Sequence, residues 1–220
     1  MLTKGLSCKV QINNEKLSSV FKFRIELEGS NPKIWREFLV PSDITFYRLH
    51  HIVQIIMGWE NYHLYEFTID SYRIGQQFED DGFNGPHEVI DSQRIQIGDV
   101  LISKEQNLHY LYDFGDYWEH SLTLEMIIDD LTIPFPVCCA GERGCPPEDV
   151  GGLIGFYDFL KIMGKPKHSE YKEFKEWVKS KLVAIDGKYD SQKFHIEKVN
   201  WVLFQLDLYI KEWESEGNEE

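Results

Sequence analysis

The chain has 220 residues, 42% of them hydrophobic and 14% aromatic, with 37 acidic against 23 basic side chains and a formal net charge of -14. That apolar content supports one good core and excludes a disordered chain. The charge excludes nucleic-acid binding driven by bulk electrostatics, because it repels phosphate backbones, and no Lys/Arg-rich run offsets it: Lys161 to Lys181 is interleaved with Glu170, Glu173 and Glu176, the pattern of a solvated helix face.

Residues 1–19 are polar and read as a loose arm or an edge strand. Phe21, Phe23, Ile25 and Leu27 alternate with Lys22, Arg24 and Glu26, which predicts a half-buried strand. Asn31-Pro32 turns the chain, and Ile34 to Val40 is predicted to pair back as a hairpin. Asp43 or Thr45 can cap a helix from about Phe46 to Met57. Its apolar residues recur every three to four positions, and Gly58 suits the left-handed residue that stops it. Leu64 to Ile69 is a strand, and Ser71 to Asp99 reads as a long mobile loop with an extended piece near Arg94 to Ile97. Leu108 to Phe114 and Trp118 to Ile127 are two strands joined at Gly115-Asp116. Ile133 to Val137, with Pro134 and Pro136, is predicted as a short edge strand. Helices follow over Gly155 to Met163, Ser169 to Leu182 and Ile196 to Trp213. Strands first and helices later predict an α+β fold: a mixed, mostly antiparallel sheet, one amphipathic helix packed on it, and a C-terminal helical layer. The expected organisation is an arm over 1–19, one domain over 20–210, and an acidic tail over 211–220.

Met1 to Val20 lacks an apolar signal-peptide core, and no apolar run approaches the roughly 20 residues that a membrane helix needs. A cytoplasmic location without membrane contact is expected, which would keep Cys8, Cys138, Cys139 and Cys145 reduced.

Two polar segments concentrate the chemistry: Tyr112 to His120, and Cys138 to Gly152. In the first, strand alternation puts Trp118 and His120 on the apolar face, with Asp113 and Asp116 flanking the turn. A histidine near a carboxylate at a sheet end can be a general base or a metal ligand; the bland reading is a satisfied histidine with turn-capping aspartates. In the second, Glu148 and Asp149 precede Gly151-Gly152 and a helix, where they can cap its N-terminus or supply pocket carboxylates. Cys138 and Cys145 lack the short Cys-x2-Cys spacing of zinc ribbons, so a zinc site there would need His63, Glu66 or His120 from another strand. His63-x2-Glu66 lies on a strand and is not a zincin signature. His50 and His51 are surface or packing residues of the first helix, and the glycines of 151–155 are too sparse for a phosphate loop.

Read in order, Ile34-Trp35-Arg36, Val40-Pro41, Met57-Gly58-Trp59, His63-Leu64-x-Glu66-Phe67, Tyr112-Asp113-Phe114-Gly115-Asp116-x-Trp118-Glu119-His120, Pro136-Val137-Cys138 and Gly144-Cys145-Pro146-Pro147-Glu148-Asp149-Val150-Gly151-Gly152 form one series. The series resembles the plasmid pRiA4b ORF-3-like family, also labelled as passenger proteins of insertion elements, over roughly residues 20–208. The resemblance implies a soluble α+β protein without an established activity. It carries over Trp35, Arg36, Gly58, Trp59, His63, Glu66, Phe67, Asp113, Asp116, Trp118, His120, Cys138, Cys145, Glu148 and Asp149. Cys139 departs from the pattern, since relatives more often have an apolar residue there. The expectation is a binding or accessory module, for an unknown protein or small molecule, whose polar pocket forms where the two segments meet. Its candidates are His63, Glu66, Asp113, Asp116, Trp118, His120, Glu148 and Asp149, with Cys138 and Cys145 as zinc ligands. The alternatives are a metal-assisted hydrolase and a mobile-element protein that associates with DNA.

Overall fold

The computed structural model describes residues 19–76, 89–129, 133–181, 183 and 187–216. Its centre is one eight-stranded mixed sheet, in the order β5-β4-β3-β6-β7-β1-β2-β8. The hairpin β1 (Val20–Leu27) and β2 (Trp35–Pro41) pairs Phe23 with Phe38 and Ile25 with Arg36. The alternation seen in sequence is kept: Phe21, Phe23, Ile25 and Leu27 are buried, because a strand sends successive side chains to opposite faces. On β1's other side runs β7 (Trp118–Ile128), which pairs with β6 (Asn107–Tyr112), which pairs with β3 (Tyr65–Ile69). Every neighbouring pair is antiparallel except β4 (Tyr72–Gly75) with β5 (Val89–Asp91), so the α+β reading holds.

Helix α1 (Phe46–Met57) starts where its sequence signals put it. The Thr45 hydroxyl accepts a hydrogen bond from Arg48 N at 3.3 Å, and Gly58 closes the helix with φ 84°. It is buried on more than one face: Phe46 packs on Phe67 of the sheet, while His51 packs on Tyr209 and Trp213. Those two belong to α6 (Leu206–Glu216), so the C-terminal layer covers the helix from outside. His50 and His51 are therefore core residues, not surface ones.

Three segments differ from expectation. The excursion expected over Ser71–Asp99 holds β4, β5 and a single-turn helix α2 (Ile97–Val100), although residues 77–88 lie outside the described set. Within it, Gln96 forms a bridge with Thr45, and Ile97 is fully buried. The edge strand lies later than the prolines suggested: β8 is Val137–Glu142, paired with β2, because Pro134 and Pro136 have no N–H to give to a ladder. The last helix is two, α5 (Ile196–Leu203) and α6, and both Leu203 and Leu206 at the break are buried. Helices α3 (Gly152–Met163) and α4 (Tyr171–Trp177), the latter extended by a 3-10 turn at Val178–Ser180, complete the layer. The predicted arm, apart from Ser19, lies outside the described residues, as do residues 217–220 of the tail.

Candidate functional site

Three chain segments converge at one end of the sheet. The first is the connection from α1 to β3, which carries His63. The second is the β6–β7 turn, which carries Asp113 and Asp116. The third is the loop before α3, which carries Glu148 and Asp149. The second and third lie side by side: Gly151 N donates to Asp116 Oδ2 at 3.0 Å. Gly152, at φ 65°, sits so close that an added Cβ would lie 2.6 Å from Asp116 O. Gly152 thus serves as a seat for the turn, at an approach that only glycine's lack of a Cβ permits.

His63 Nε2 is the hub. It lies 3.0 Å from Asp149 Oδ1, 3.7 Å from Asp113 Oδ2 and 3.8 Å from Glu148 Oε1. The ligand atoms of His63, Asp113 and Asp149 all lie within 4.8 Å of one another. Each carboxylate is fixed through its second oxygen: Asp113 Oδ1 accepts from Gly115 N at 2.8 Å, and Asp149 Oδ2 accepts from Lys181 Nζ at 2.9 Å. Glu148 lies behind them, 1% exposed, accepting from Glu60 N at 2.6 Å and from the Tyr112 hydroxyl. Burial pushes the Glu148 carboxyl up, against the pull of its donors. Burial also raises Asp149, but hydrogen bonds from Lys181 and His63 outweigh it and hold that carboxyl below the usual range.

The backbone supports this arrangement at a conformational cost. Asn61, Asp113 and Asp149 have φ of 61°, 55° and 61°, the left-handed region that Asn and Asp tolerate best among non-glycine residues. Asn61 is pinned from beneath by a buried relay. Gln54 Nε2 donates to the Tyr110 hydroxyl at 2.9 Å, which lies 2.9 Å from His50 Nδ1, and His50 Nε2 lies 2.6 Å from Asn61 Oδ1. With the Tyr110 hydroxyl donating to Nδ1, the His50 proton sits on Nε2 and donates to Asn61. The Asn61 amide lies 3.5 Å from His51 Nδ1.

Of the predicted residues, His63, Asp113, Glu148 and Asp149 are brought together, with Asp116 tying the two loops. Glu66 points elsewhere and pairs with Arg73 at 2.7 Å. Trp118 is core, its ring stacked on Trp59 at 5.9 Å. His120 is fully buried between Trp59 and Tyr110, with Nδ1 donating to Tyr110 O at 3.2 Å, and burial pulls it down to about 3. Cys138 and Cys145 are buried thiols that burial pushes up to about 12, and the Arg36 guanidinium opposes this. Among the described residues, the grouping of three potential ligands is His63, Asp113 and Asp149; neither cysteine belongs to it. Sequence reasoning missed Lys181, which reads as one more charge on a solvated helix. It also missed the role of Tyr112, whose alternation marks it only as a strand residue.

Comparison with known proteins agrees with the sequence motifs. The chain is 34% identical over 185 residues to the uncharacterized protein y4hQ of Sinorhizobium fredii, covering 84% of this chain and 90% of that one. It is also similar to the crystal structure of MM3350, a protein of unknown function from Methanosarcina mazei Go1. That likeness has a TM-score of 0.69 at 29% identity and covers 82% of this chain and 97% of the other. The family description "Plasmid pRiA4b ORF-3-like protein" matches residues 19–198, and the chain belongs to that family.

Proposed function

We propose that the chain is a binding or accessory module whose pocket, formed by His63 with the Tyr112–His120 and Cys145–Gly152 segments, holds a divalent cation. The observation that carries this reading is the approach of one imidazole nitrogen and two carboxylate oxygens, from three segments, to within 4.8 Å of one another. A mixed nitrogen and oxygen set suits divalent ions such as zinc or manganese, and neither buried thiol belongs to it. The partners of the second carboxylate oxygens, Gly115 N and Lys181, supply the outer shell that orients metal ligands. Titration calorimetry of chelator-treated protein with zinc and with manganese tests it. Wild type binds one ion per chain, Asp113→Asn with His63→Ala does not, and Lys181→Met weakens binding about tenfold. Unchanged binding in the double variant overturns the reading.

A second reading, a metal-assisted hydrolase, is favoured by the openness of the same ligands. His63 and Asp149 are 33% and 50% exposed, so a three-ligand ion there keeps a position for water. Zinc-dependent hydrolysis of neutral ester substrates by wild type, absent from the double variant, selects this reading over pure binding. The DNA-associated reading is not carried forward, since a carboxylate-lined cleft on a chain of net charge -14 repels phosphate.

A further inference from the structure

A cavity of about 390 Å³ lies between the C-terminal end of α1 and α5. Its walls are chiefly apolar, including Ile55, Trp59, Val199 and Val202. The described lining holds four basic residues, Arg36, Lys193, His195 and Lys198, and no carboxylate, although acidic residues outnumber basic ones 37 to 23 in the chain.

Arg36 is 1% exposed. Its Nε donates to Ile56 O at 2.9 Å, Nη1 to Trp35 O and Glu142 O at 2.7 Å each, and Nη2 to Arg143 O at 2.8 Å. The Phe194 ring covers its face at 3.9 Å. A guanidinium has five N–H groups, so one on Nη2 has no protein acceptor among the described residues. Among the described residues no carboxylate pairs with it; the acidic groups that act on it are the Cys145 and Cys138 thiols and the Tyr189 phenol, all pushed up by burial. A buried cation held by carbonyl dipoles and one aromatic face lacks the counter-charge that normally accompanies burial.

We propose that this cavity is a binding site for a small amphipathic carboxylate, its apolar body against Ile55, Val199 and Val202 and its anionic end toward Arg36 and Lys198. The volume falls in the range that small-molecule sites occupy. The occupant's charge follows from a described lining that holds cations and no carboxylate, and its single polar end from the apolar walls. The site shares no proposed ligand with the His63 cleft.

The test is titration calorimetry of the full chain with octanoate, and with octanol and octylamine as neutral and cationic probes of the same length. Octanoate binds one per chain, octanol binds more weakly, and octylamine does not bind. Val199→Trp fills the cavity and abolishes octanoate binding. Lys198→Glu, a surface change that leaves the core intact, weakens it about fivefold, the scale of an exposed charge. His63→Ala with Asp113→Asn leaves octanoate binding unchanged, which separates this site from the cation site. Absence of octanoate binding, equal binding of octanol, or full binding by Lys198→Glu overturns the proposal.

Discussion

Acid should unfold this protein through three histidines. His50, His51 and His120 are 1%, 0% and 0% exposed, and burial is the leading cause holding each below the ordinary value of 6.5. His51 falls to about 4 and His120 to about 3. A folded-state value below the unfolded one means stability that is complete above pH 6.5 and lost as pH falls toward the folded values. At pH 5.5 each histidine of the unfolded chain is about nine-tenths protonated, which costs the folded state about 1.4 kcal/mol per residue, or about 4 kcal/mol for the three. Glu148 works in the opposite direction. Its raised value means that the folded state holds that proton more tightly, offsetting up to about one proton above pH 4.5. Net uptake on unfolding near pH 5.5 is therefore about two to three protons. Urea unfolding at pH 7.5, 6.5 and 5.5 measures it, with the denaturant slope held constant as the check on two-state behaviour. His120→Leu should remove about one proton from the pH dependence whatever it does to the midpoint. A loss below about 1 kcal/mol between pH 7.5 and 5.5, or an unchanged pH dependence in His120→Leu, would refute the reasoning.

Three other outcomes are expected. Gly152→Ala places a Cβ 2.6 Å from Asp116 O at a left-handed φ, and should destabilise by about 1–3 kcal/mol in denaturant titration; Gly164→Ala, at φ -72° with its nearest contact at 3.4 Å, serves as the control. Trp59→Ala removes a 1% exposed indole that stacks on Tyr112 and Trp118, and should cost about 3–5 kcal/mol by the same measurement. Mobility-shift titration with duplex DNA at physiological salt should show no appreciable binding, since the chain has no basic run to release counterions; tight, salt-sensitive shifts would contradict this.

Much of the site's composition was legible in advance, but its membership was not. Asp113, Glu148 and Asp149 stood out because acidic residues beside glycines in short polar segments mark loops at strand ends. Strand alternation placed Trp118 and His120 on the apolar face, and both are buried. The same alternation could not say that Trp59 and Tyr110 enclose His120, because those contacts come from other elements. Glu66 shares the His63 motif yet faces Arg73, since the chain changes from an irregular connection to the regular β3 between the two residues.

By itself the sequence determined the hairpin, α1 with its Gly58 stop and a cap at Asp43 or Thr45, the β6–β7 pair, the α+β class and the family. Each rests on a local period or a contiguous motif that neighbouring residues specify on their own. Only the tertiary structure decided the short β4, β5 and α2, the burial of His50 and His51, and the separation of α5 from α6. It alone brought His63 to Asp149, 86 residues away, and left Arg36 buried with carbonyls for partners. The physical reason is the same throughout. Those features depend on which distant surfaces meet when the sheet closes against α1 and the C-terminal helices, and no window of sequence contains both sides of such a contact.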